Sequence, residues 1–172
     1  MQTISLASTV ELASRLQGVV NGIVKPPSAT ATSRDEAVIY IALVRGTRGY
    51  LVSVAHQING CYANGWYDAC AVMIRRFLET LIIECFETHN IQNKIKDANG
   101  DYFFLRDLVD HACAEKSWTL GRNVRKALPK LKEVGDKSAH SRRFNAHRED
   151  IDKLMSDLRD ASQELLAIAK LK

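Results

Sequence analysis

The chain has 172 residues, 46% of them hydrophobic and 26% charged, with a net charge of only +4. That length suits one domain with a single sizeable core, and that balance excludes a disordered chain. No apolar run approaches the roughly 20 residues that span a bilayer, and the N-terminus lacks a signal peptide's basic-then-apolar order, so a cytoplasmic protein without membrane contact is expected.

Residues 4–20 place Leu6, Val10, Ala13, Leu16 and Val20 at helical spacing, predicting an amphipathic first helix that ends before Asn21-Gly22. Lys25 to Thr32, KPPSATAT, reads as a loop because two prolines remove backbone donors and small residues follow. Ser33 with Glu36 has the spacing of a capping box and opens a second helix carrying Val38, Ile41, Ala42 and Val44. Gly46 and Gly49 would each cost about 1 kcal/mol inside a helix, so a break is expected there. Helix then resumes through Tyr50, Val54 and Ile58 to about Ala63. Asn64-Gly65 reads as its C-cap and a tight turn, since both flanks have helical periodicity.

Trp66 to Glu87 is the central helix. Ala69, Met73, Phe77, Leu78, Leu81 and Ile82 form one apolar face, and Val72, Ile74, Ile83 and Phe86 widen it around most of the circumference. Such a helix must be covered on several sides. Arg75–Glu79 and Arg76–Glu79 stand four and three residues apart, so the three can form one polar cluster at the core's edge. A polar connector follows, ending in Asn99-Gly100-Asp101. Asp101 is a plausible N-cap for a helix marked by Tyr102, Leu105, Leu108, Val109 and Ala112. Thr119 can cap a segment holding Val124 and Leu128, and Pro129 is expected to start a new helical segment at its first position. The last helix, about 146–171, is read from Ile151, Leu154, Met155, Leu158, Ala161, Leu165 and Ile168. With no useful alternating pattern anywhere, the expected fold is an all-α bundle.

Cys61, Cys70, Cys85 and Cys113 make no C-x-x-C, so buried free thiols are expected and no metal or cofactor is implied. His111 and Cys113 likewise lack a ligand-spaced partner. Tyr62, Trp66 and Tyr67 could stack bases, but packing at the turn between two core helices explains them better. Charge is placed unevenly. Between Gly121 and Arg148 nine Lys and Arg face two acids, so the segment carries +7 and the remainder −3. A block that lopsided suits a polyanion such as nucleic acid.

Within that block Asp136 and His140 stand four apart on one helical face. A carboxylate beside an imidazole orients the ring and favours its protonated form, so His140 could donate to a phosphate or act as an acid or base. Arg142 and Arg143 follow at once and could hold phosphate oxygens, with Lys137 beside them. The plainer reading has His140 packed on the central helix, Asp136 fixing its tautomer and the arginines solvated.

IRRFLETLI in a central helix, GDKSAH some 60 residues later, and RRFN before an acidic helix start together resemble the HEPN superfamily. More narrowly, the chain is similar to bacterial HEPN-like domains with an R-x-x-L-E helix and a G-N-x-x-A-H element. Arg76, Leu78 and Glu79, with Arg75 before them, match the first element; Gly135, Asp136, Ala139 and His140 match the second, with Asp where Asn is commoner. The resemblance covers roughly residues 48–170, leaving 1–34 as an N-terminal helix and loop within a single domain of 172 residues. It implies an up-and-down bundle of about five to seven helices, commonly a homodimer, often with an RNA-directed role in bacterial defence or toxin–antitoxin systems. Active relatives resemble metal-independent ribonucleases with an R-x(4–6)-H motif, whose Arg binds the scissile phosphate. Here the positions that should offer that Arg hold Gly135, Val134 and Glu133, although Arg75, Arg76, Arg142 or a dimer partner could supply one. The expected function is therefore a non-catalytic module that binds RNA, a nucleotide or a protein partner. A ribonuclease using His140 and a plain protein-interaction domain are the alternatives.

Overall fold

Left-handed residues just beyond the ends of three helices set where those helices stop. The computed structural model describes residues 37–172, which lie within the second of two units of the chain, Thr32–Lys172. The predicted first helix, the KPPSATAT loop and the Ser33–Glu36 capping box lie outside the described residues, so the single expected domain is described for this unit alone. Its order is α1 (Ile41–Val44), α2 (Gly49–Ala63), α3 (Tyr67–Thr88), a 3-10 turn (Gln92–Ile95), α4 (Leu105–Ala114), α5 (Arg122–His140), α6 (Arg148–Asp152) and α7 (Met155–Ile168). Among the described residues there is no strand, only an isolated bridge between Lys96 and Tyr102. The fold is an all-α helical bundle.

The α2 helix ends at Gly65 (φ 75°), α3 at Asn90 (φ 57°) and α7 at Lys170 (φ 53°). At each stop the next N–H reaches back to a carbonyl five residues earlier: Trp66 to Cys61 at 2.9 Å, Ile91 to Phe86 and Leu171 to Leu166 at 3.0 Å. This is the Schellman arrangement, which satisfies carbonyls that a helix end leaves open. The break expected at Gly46 and Gly49 is present, with Gly46 at φ 80° and Gly49 starting α2. Val38 is not helical, however. Side chains satisfy the backbone ahead of α1 instead: Asn59 pairs with both the N–H and the carbonyl of Ile39 (2.9 and 2.8 Å), and Arg159 donates to the carbonyls of Ala37 and Val38.

Central α3 touches α2, α4, α5, α6, α7 and the 3-10 turn. It buries Ile74, Phe77, Leu78, Leu81, Ile82 and Phe86 completely or nearly so, each worth roughly 1.5–3 kcal/mol. The buried face is narrower than its sequence predicts. Ala69 and Val72 are exposed, and Met73 and Ile83 are half-buried.

Four predicted boundaries move. The α4 helix begins at Leu105, because Asp101 closes the preceding loop with Asp97 (Asp97 N–H to Asp101 carbonyl 2.8 Å, the reverse bond to the Asp97 carboxylate 2.9 Å). Gly121, not Thr119, precedes α5, and the Glu164 carboxylate of α7 accepts its N–H. Pro129 lies inside α5, where buried Ala127, Leu128 and Leu131 keep one face continuous across it; its ring is exposed, and the helix runs on despite the lost ladder bond and the crowding of the ring against the preceding turn. The last helix is two, α6 and α7, parted at Lys153-Leu154.

Gly135 is where α5 crosses α3. A Cβ there would lie 2.7 Å from the Arg75 Cβ and 2.9 Å from the Ala71 carbonyl oxygen. Gly135→Ala should therefore destabilise the protein by about 1–3 kcal/mol through overpacking, despite alanine's better helix propensity. Gly60, inside α2, has open space at the same position, and Gly60→Ala should stabilise by about 0.5–1 kcal/mol. Urea midpoints of the two variants should shift in opposite directions.

Candidate functional site

Helix α5 has two faces. Val124, Ala127, Leu128, Leu131 and Gly135 turn inward, while Arg122, Lys126, Lys130, Glu133, Lys137 and His140 lie on the opposite, exposed side. The helix rises about 28 Å over its 19 residues. Among the described residues, Lys137 pairs with Glu133 (2.7 Å), whereas Arg122, Arg125, Lys126 and Lys130 have no ion-pair partner. Arg142 and Arg143, in the loop beyond, are exposed and also unpaired among those residues. That loop is held down just beyond the two arginines. Phe144 packs against the core, and the Ala146 N–H donates to Asp68 at 2.9 Å. Further on, Tyr62 donates to Asp152 and accepts from Arg148 Nε at 3.0 Å.

One residue after the helix crossing, Asp136 meets two cations. Arg75 Nε donates to its Oδ1 at 2.9 Å and Lys132 Nζ to its Oδ2 at 2.5 Å. The Arg75, Lys132 and Asp136 side chains are 23%, 20% and 31% exposed. Partial burial pushes the Asp136 carboxyl up, but the hydrogen bonds and charges of Lys132 and Arg75 outweigh it and hold the group below its ordinary value. Arg75 also approaches Glu79 at 3.8 Å. Exposed Arg76 makes no ion pair with Glu79, so the expected three-member cluster has Asp136 where Arg76 was placed.

The anticipated pairing of Asp136 with His140 does not form. No hydrogen bond or ion pair joins them, and both carboxylate oxygens are already engaged. His140 is the last residue of α5 and is exposed rather than packed on α3. It nevertheless shares an open groove of about 760 Å³ with Arg75, Lys132, Asp136 and Lys137. The far wall comes from the start of α4, with Phe104, Arg106 and Asp107; Arg106 Nε lies 3.1 Å from the Asp107 carboxylate. Sequence reading missed Phe104 and Arg106. The available signal was an aromatic one residue ahead of the α4 stripe and outside its period.

Other candidates carry less. Among the described residues no group of three or more His, Cys, Asp or Glu could hold a metal ion, and no helix is long and apolar enough to cross a membrane. All four cysteines are free, with Cys70 and Cys85 buried and Cys61 and Cys113 half-buried. Burial pushes the Cys70 and Cys85 thiols up to about 12, so neither is a nucleophile. Tyr62 packs edge-on against Tyr67 at 5.8 Å, as a packing role predicts, but Trp66 is 54% exposed.

A family model described as a domain of unknown function, DUF4145, matches residues 56–171, more than half of the chain. The chain belongs to this family. The DUF4145 match runs from within α2 past the end of α7 and takes in every residue of the groove and of the basic face. No curated protein and no solved structure matches the chain.

Asp136→Asn tests the charge cluster. A carboxyl held low in the fold contributes stability in full above its unfolded value, near 4, and loses it as pH falls below that. The variant should be less stable by about 1 kcal/mol at neutral pH, discounted for partial exposure. Its deficit should shrink as pH drops from about 4 to 3. Parallel urea midpoints for both proteins over that range would show that the carboxylate is not tied.

Proposed function

We propose that this chain is a non-catalytic RNA-binding module, with the exposed face of α5 and the Arg142–Arg143 loop meeting the phosphate backbone. The observation that carries this reading is the row of exposed cations without ion-pair partners among the described residues. A paired surface cation has part of its charge neutralised already, whereas Arg122, Arg125, Lys126 and Lys130 form no ion pair among the described residues. Cations that neutralise phosphates release the counterions condensed on the nucleic acid, a large term in binding its backbone. The HEPN resemblance, with its incomplete R-x(4–6)-H motif, agrees with binding rather than cleavage. It also carries the reading of a homodimer acting in bacterial defence.

Arg75 and His140 line one groove, which favours a second reading, a metal-independent ribonuclease. Arg75 would have to leave Asp136 and Glu79 to meet a phosphate, and that competition supports the non-catalytic reading. A phosphate-binding cation already neutralised in the ground state offers little to developing charge.

RNA affinity should fall steeply with salt. For single strands, log K should drop by about 0.7 per neutralised phosphate against log salt. Lys126→Ala and Lys130→Ala should each weaken binding of every sequence alike and flatten that slope by about 0.7; affinity independent of salt would instead indicate a protein-interaction domain. With EDTA present, neither the wild type nor His140→Ala should cleave a pool of tRNA and single-stranded RNA. Cleavage by the wild type alone, leaving 2′,3′-cyclic phosphate ends, would replace the binding module by the ribonuclease.

A further inference from the structure

Phe104 is 78% exposed, the most exposed large hydrophobic residue described. Its position is nonetheless fixed, because it is the N-cap of α4 and its carbonyl accepts the N–H groups of Asp107 and Leu108 at 2.9 and 3.0 Å. The two aromatics before it are both occupied. Tyr102 donates to Glu87 at 2.5 Å and carries Lys96 over its ring, and Phe103 lies against His111 with centroids 5.4 Å apart. Phe104 alone of the three has no aromatic or cationic partner among the described residues, and it stands on the wall of the groove that holds Arg75, Lys132, Asp136, Lys137 and His140.

An exposed ring on the wall of a groove lined by four Lys and Arg against three acids, close to the unpaired arginines of the loop, matches the two halves of a nucleotide, a flat base and a charged phosphate. We propose that Phe104 is a stacking platform for an unpaired base, so that this surface selects single-stranded over duplex RNA. The inference rests on the RNA-binding reading and adds the strand class. In a duplex each base is covered on both faces by its neighbours, so none is free to lie on Phe104, whereas a single strand can turn one out at little cost. The phosphate beside that base would lie toward the end of the α5 row, where exposed Arg142 and Arg143 form no ion pair among the described residues. Asp107 and Glu133 line the same groove, but their charges are met by Arg106 and Lys137, so they do not repel the backbone outright.

The test titrates a labelled oligoadenylate and an RNA duplex of equal length with wild type, Phe104→Ala, Phe104→Leu and Phe104→Tyr. Because the ring is exposed, none of these changes removes core packing. Oligoadenylate binding should weaken about 10-fold or more in Phe104→Ala and Phe104→Leu, stay near wild type in Phe104→Tyr, and keep the same salt slope throughout. Duplex binding should be weaker than oligoadenylate binding in the wild type and equal in all four proteins. Salt-dependent binding unchanged by Phe104→Ala would overturn the platform and leave the RNA-binding module intact. Equal losses on both RNAs would overturn it too, and no binding of either RNA by the wild type would remove both readings together.

Discussion

The approach of α5 to α3 is limited by one missing side chain. At Gly135 the two backbones come so close that a methyl group would press on both the Ala71 carbonyl and the Arg75 stem. Two consequences follow from that distance. Leu128 and Leu131 reach the core around Phe77 and Leu78, which closes the bundle, and Asp136 is delivered to the guanidinium of Arg75. The first is a packing effect and the second an electrostatic one, yet a single backbone contact sets both. A wider crossing would move Asp136 out of range and return Arg75 to solvent.

Ion pairing divides the cations of the basic segment and its α3 neighbour into two populations. Arg75, Lys132, Lys137 and Arg148 have carboxylates in contact, so their charge is held locally and screened. Arg122, Arg125, Lys126, Lys130, Arg142 and Arg143 are exposed and unpaired among the described residues, so their field extends outward by about a Debye length. Any long-range attraction of a polyanion would come from the second population. Of the first, Arg75, Lys132 and Lys137 line the groove, and their ion pairs would have to loosen before a phosphate could use them.

Most of the architecture was legible because apolar period is a direct image of burial. The α3 span follows from it, and the break before α2 and the Asn64-Gly65 stop follow from the conformational preferences of glycine. What failed were assignments that depend on a partner distant in sequence. Gly121 needs no cap of its own because Glu164, 43 positions on, supplies the carboxylate; local pattern could only offer Thr119. Asp136 has two candidate partners at helical spacing, Lys132 four before and His140 four after. Local spacing cannot choose between them, and it says nothing of Arg75, 61 positions away, which takes one of the two carboxylate oxygens. Pro129 failed for a local reason: it is expected at a helix start, where its missing N–H does no harm, yet the residues around it are buried along a single face and the helix runs through it.

Helix α5 is fixed at two points, by the Glu164 carboxylate under its first turn and by the backbone contact at Gly135. Between these anchors its exposed cations sit on a rod whose spacing cannot adjust much to a ligand. Rigidity of this kind lowers the entropy lost on association, because only the outer side-chain torsions remain to be ordered. It also narrows choice, since a flexible basic tail accepts any run of negative charge while a fixed row rewards one repeat distance. The carboxylate at Glu164 thus helps to set where the cations of α5 stand, through the N–H of Gly121 and from 43 positions away in sequence.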